Sequence, residues 1–150
     1  VKILNRPIPP QFQESVRYAE QNLSSKGKEL VGDRDPRSHE FSVQLRAFDA
    51  SKSGDGMGMA VLMAMCSSIL EKNTKGGLVI VGQLNLGGSL DLVYGAVNIA
   101  EIAIEKGATT LLIPVNARKQ LNELSDDMIT KINIQYYTDL RDCLVKTLME

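Results

Sequence analysis

With 150 residues, 43% of them hydrophobic and 23% charged, the chain has the size and balance of one ordinary globular domain, not of a disordered or fibrous segment. A formal net charge of −1 argues against a strong electrostatic hold on nucleic acid or an anionic membrane. No apolar run is long enough to span a membrane and no signal-peptide pattern opens the chain, so a cytoplasmic home is expected; the start at Val1 reads as a piece of something longer.

Pro7, Pro9 and Pro10 make residues 1–10 an extended lead-in. Phe12, Val16, Ala19 and Leu23 then recur at three and four, which predicts an amphipathic helix over residues 11–30, closed by the polar turn Gly32-Asp-Arg-Asp-Pro36. Phe41, Val43, Leu45 and Ala47 alternate with polar residues as a half-buried strand does. A glycine-rich turn follows, and then residues 57–72, apolar almost all round, predict a buried central helix.

Leu78-Val-Ile-Val81 predicts a buried strand continuing through Gln83 to Leu86, with Gly87-Gly88 as a hairpin turn and residues 89–93 as the return strand. The next helix spans residues 96–106, with Val97, Ala100, Ala103 and Ile104 inward and Gly107 closing it. A strand over 109–113 stopped by Pro114, a short helix over 117–124, a strand over 132–136 and a last helix capped by Thr138 complete the chain. This order is that of an α/β (α+β) domain with a mixed sheet packed by helices. Cys66 and Cys143 lack metal-ligand spacing, and a buried reduced thiol is favoured over a disulfide.

The stretch from Asp49 to Met59 holds Gly54, Gly56 and Gly58 at alternate positions before the central helix. Glycine there permits a tight strand-to-helix turn and leaves backbone N–H groups open, as an oxyanion hole requires. A P-loop would need Gly-Lys-Ser/Thr at the helix start, where Gly58 is followed by Met59 and Ala60; the dinucleotide fingerprint would need glycine at Met59. His39 is the sole histidine, with no ligand set for a metal and no Gly-x-Ser-x-Gly elbow for a triad. A Ser-Lys dyad needs no histidine, since a desolvated lysine can act as base to a serine hydroxyl. Ser51, Lys52 and Ser53 have the right groups, but neighbours in an extended segment point opposite ways, so polar loop residues are the favoured reading.

From Glu40 to the end, the sequence resembles the C-terminal peptidase domain of ATP-dependent Lon proteases. That family carries Pro-Lys-Asp-Gly-Pro-Ser-Ala-Gly, whose serine is the nucleophile. Here Ser51-Lys-Ser-Gly-Asp-Gly-Met-Gly58 keeps Lys52, Gly54 and Gly58 around Asp55, and Gly56 stands at the nucleophile's place. The family's Ile-Gly-Gly-Leu-Lys, which supplies the general base, corresponds to Val93-Tyr-Gly-Ala-Val97, with Val97 in place of lysine. Lys106-Gly-Ala-Thr-Thr-Leu-Leu-Ile-Pro114 fixes the register without a gap. The lead-in, with Pro9-Pro10-Gln-Phe12 and Glu29-Leu-Val-Gly-Asp-Arg-Asp-Pro36, is similar to that of the Lon-related AAA+ proteins of BREX phage-defence systems.

The resemblance implies a Lon-type fold over residues 39–150, preceded by an extra helix and turn within residues 1–38. It also implies a larger cytoplasmic ATPase that forms a homo-oligomeric, hexameric ring and meets DNA through other domains, with no membrane role. ATP and Mg would bind outside these residues, and no cofactor or metal is expected within them. Gly56 has no side chain to attack a carbonyl and Val97 cannot accept a proton, so the domain is expected to be a silent binding module. The alternative is an active ATP-dependent serine peptidase with a displaced dyad, using Lys52 with Ser53, Ser67 or Ser89. Direct DNA contact by this domain is a weaker reading on charge.

Overall fold

A computed structural model describes residues 2–4, 10–34, 41–43, 57–83, 85 and 89–148. The predicted strand beyond Val43, the turn from Asp49 to Gly56 and the hairpin tip at Gly87 and Gly88 lie outside the described residues. Helix α1 (Pro10–Val31) begins at Pro10 itself, where the missing N–H is no loss because a first-turn donor has no partner in its own helix. Its buried residues include Phe12, Val16, Ala19 and Leu23, the stripe expected from the sequence. Strands β1 (Lys2–Ile3) and β2 (Ser42–Val43) pair in parallel ahead of the central helix α2 (Gly58–Leu70).

Strands β3 (Leu78–Ile80), β4 (Thr110–Pro114) and β5 (Asn133–Tyr137) form a parallel sheet with β4 in the middle. The sheet has helices on both sides. Alternation along β4 sends Leu112 into one core, with α1, α2 and α6 (Leu140–Thr147), and sends Leu111 and Ile113 into the other, with α3 (Ala96–Glu105). The α/β class is therefore as the sequence indicates. Its antiparallel component shows as pairing rather than as regular strands. The Asp91 N–H donates to the Gln83 carbonyl at 2.9 Å and the Asn85 N–H to the Ser89 carbonyl at 3.0 Å, where a full return strand over 89–93 was expected.

Two local expectations are corrected and one short helix is added. The short helix over 117–124 is a 3-10 turn (Val115–Ala117) running into α4 (Arg118–Leu121). A further turn of helix, α5 (Asp126–Ile129), starts at Ser125, whose hydroxyl accepts the Met128 N–H. The last helix is capped by Asp139 rather than Thr138: Asp139 Oδ1 accepts the Asp142 N–H at 2.8 Å, and Asp142 Oδ2 accepts the Thr138 N–H at 3.0 Å. Thr138 acts in this reciprocal box only as a donor, its hydroxyl also reaching Asp142 Oδ2 at 3.4 Å, while Asp139 supplies the acceptor at the helix start. Partial burial acts to raise the Asp142 carboxyl, but the Thr138 N–H and the Lys146 ammonium outweigh it and hold it below its ordinary range. Its stabilising contribution is therefore present above the ordinary carboxylate pKa and is lost as pH falls through the lowered value.

Cys66 on α2 and Cys143 on α6 are both free and fully buried in the first core. Burial pushes both thiols up to about 12. Unfolded thiols ionise near pH ~8.5, so this contribution to stability is complete below that pH and is lost as pH rises above it. A thiol reagent at about pH 8 is expected to label neither cysteine in the folded chain and both in urea. Rapid labelling of either under native conditions would show that the α2–α6 core is open.

Candidate functional site

The N-terminus of α2 receives the glycine-rich turn, and the residues that hold it come from far along the chain. The Gly58 N–H donates to Gln83 Oε1 at 2.9 Å, and the Met59 N–H donates to the Gly82 carbonyl at 3.2 Å. Gln83 Nε2 in turn donates to Ser15 Oγ of α1 at 3.1 Å, at a serine with no solvent exposure. One amide side chain thus joins α1, the segment after β3 and the helix start. These first-turn donors, which have no partner within their own helix, are engaged, so the open N–H expected of the glycine turn is not found at Gly58, while Gly54 and Gly56 lie outside the described residues.

Gly82 permits this close approach. It has φ +152, and a Cβ there would lie 2.0 Å from the Tyr137 hydroxyl oxygen and 3.0 Å from Met59 Cγ. The Tyr137 hydroxyl, fully buried, donates to the Val81 carbonyl at 2.7 Å. Burial, with Cys143 nearby, pushes this phenol well above its usual range and keeps it a donor.

Beside this junction lies a cleft of about 750 Å³ lined by Val81, Gly82, Gln83, Leu90, Asp91 and Ile99, with Leu92 and Tyr94 at its lip. Its far side is the start of α3, entered through Gly95 in the left-handed conformation (φ +67). The Ala96 N–H there donates to Gln120 Oε1 at 3.0 Å. Val97, second in α3, is half-buried and packs against the second core, while Ala96, Ala100 and Ala103 are its fully inward neighbours. An aliphatic side chain in that setting is satisfied by packing and offers no proton acceptor.

The chain matches the family model described as Lon protease (S16) C-terminal proteolytic domain over residues 10–150. It belongs to that family. Similar proteins include the Lon-like protease BrxL of Escherichia coli O9:H4 (strain HS), 24% identical over 110 residues that make up 73% of this chain and 16% of the relative. The Lon-like protease BrxL of Bacillus cereus (strain H3081.97) is 19% identical over 136 residues, 91% of this chain and 20% of the relative. The Lon protease of Helicobacter pylori is 28% identical over 99 residues, 65% of this chain and 12% of the relative. The chain covers no more than a fifth of the length of these relatives.

Of the residues singled out from the sequence, Gly58 and Val97 are placed as above, while His39, Ser51, Lys52, Ser53, Gly54, Asp55 and Gly56 lie outside the described residues. Ser67 is nine positions beyond Gly58 on α2, about 14 Å along the axis, and donates to the Lys72 carbonyl at the opposite end of the helix. Ser89 sits in the hairpin, its N–H on Asn85 Oδ1. Neither is at the helix start. Sequence reasoning missed Gln83 and Ser15, although a glutamine inside the apolar run from Leu78 to Leu86 was the available signal.

Two substitutions test the junction. Gly82→Ala is expected to lower stability in urea unfolding by about 1–3 kcal/mol, because its methyl has no room beside Tyr137; an unchanged midpoint would contradict the close approach. Gln83→Ala leaves the Gly58 N–H unpaired and should cost about 1–3 kcal/mol. Combined with Ser15→Ala, it should cost clearly less than the sum of the two single effects, as expected for partners in one network.

Proposed function

We propose that this is the Lon-type domain of a larger ATP-dependent AAA+ protein, proteolytically silent and retained for oligomeric assembly and partner contact in phage defence. The observation that carries the reading is Val97, an aliphatic side chain packed on the second core at the place of the family's general base. Gly56, at the place of the nucleophile, supports it. A dyad acts as a unit, so loss of both members removes nearly all of its rate advantage.

The engaged N–H groups of Gly58 and Met59 add to this, because donors spent on Gln83 and Gly82 cannot also stabilise a developing oxyanion. The likeness to BrxL proteins motivates the phage-defence setting, in which ATP and Mg serve the portion outside this chain. A cytoplasmic location fits this role, and no described helix is long and apolar enough to cross a membrane.

The test is a protease assay on the full-length protein with casein and ATP. No ATP-dependent cleavage above background is expected. Cleavage that disappears in Ser53→Ala or Lys52→Ala would overturn the silent reading in favour of a displaced dyad.

A further inference from the structure

We propose that the domain carries both halves of a contact between copies of itself, in which the lip formed by Leu92 and Tyr94 of one copy seats in the groove between α1, α2 and α6 of the next. The inference rests on the assembly reading above and names the surfaces that serve it.

The lip is apolar, exposed and braced. Leu92 is 64% and Tyr94 81% exposed, while Val93 between them is buried. Side chains from the following segment hold its backbone: Gln120 Nε2 donates to the Val93 carbonyl at 2.6 Å, and Asn116 Nδ2 to the Asp91 carbonyl at 3.3 Å. A tyrosine and a leucine presented on a fixed backbone lose little further freedom on docking, which is what a contact anchor needs. Asp91, exposed beside them, makes no ion pair among the described residues.

The groove has the complementary chemistry. It encloses about 510 Å³ over a floor that includes Leu70, Leu144 and Leu148, with Val145 standing 67% exposed at its edge. Its rim carries Lys28, Lys72 and Arg141 against the single acid Glu29. The three cations form no ion pair among the described residues. An apolar pair flanked by a carboxylate fits an apolar floor with a cationic rim, and like-charged partners are disfavoured there. Lip and groove lie on different elements, so the contact is head-to-tail and closes into a ring where the rotation permits.

The test uses the full chain. Tyr94→Cys and Val145→Cys are prepared separately, mixed and mildly oxidised; Cys66 and Cys143, being fully buried, give little background. A disulfide-linked dimer is expected in the mixture and not in either variant alone. In sedimentation, Asp91→Lys or Arg141→Glu alone should raise the concentration needed for association about tenfold, and the two together should recover most of it. If the unmodified chain assembles but neither single change matters, or the combination restores nothing, this contact is wrong and the assembly reading survives. An unmodified chain that stays monomeric at every concentration overturns the contact, and a full-length protein that stays monomeric with ATP overturns the assembly reading as well.

Discussion

The arrangement depends on how closely the backbone at Gly82 approaches the buried Tyr137 hydroxyl and Met59. Without a Cβ at position 82, the segment after β3 can lie against the start of α2 and give its carbonyl to the Met59 N–H. The next residue, Gln83, then falls within reach of both Gly58 and Ser15. The order of dependence runs from a steric vacancy to a backbone contact, and from there to a side-chain bridge. A helix start that would otherwise present free donors is stitched to two other parts of the domain.

The helix termini at the groove end are treated differently. The C-terminus of α2 turns out through Glu71 in the left-handed conformation, with φ 55, and Arg34 Nη1 donates to the Ile69 carbonyl at 2.7 Å. Cations near helix C-termini are favoured by the orphan carbonyls and the helix dipole. The positive character of that end thus has a structural origin in part, since Lys28 lies in the last turn of α1. Arg34 is occupied with the Ile69 carbonyl and, at 4.0 Å, with Glu71, whereas Lys28, Lys72 and Arg141 keep their charges facing the groove.

The long periodic elements were legible in the sequence because their patterns are physically overdetermined. The stripe of α1, the all-apolar α2 and the β-branched or leucine-rich β3 and β4 can bury themselves in few other ways. The kinship with the Lon C-terminal domain was legible because the run ending at Pro114 keeps a recognisable register. Local capping was less so. Thr138 and Asp139 are both good caps, and only the geometry of Asp142 decides between them. The Gln83 bridge was hidden because its partners lie 25 and 68 positions away, and hydrophobic periodicity carries no information about such pairings.

The sheet separates the domain into two cores, and this bears on how separately the two sides of the domain can change. The side chains of α2 belong to the first core, whereas Val97 rests on the second. Changes in separate cores with no shared partner act almost independently on stability. A substitution at the start of α2 can therefore be accommodated in its own surroundings, and one at Val97 against its own apolar packing, without the other having to adjust. Chemistry requires both sites at once, while folding consults them one at a time.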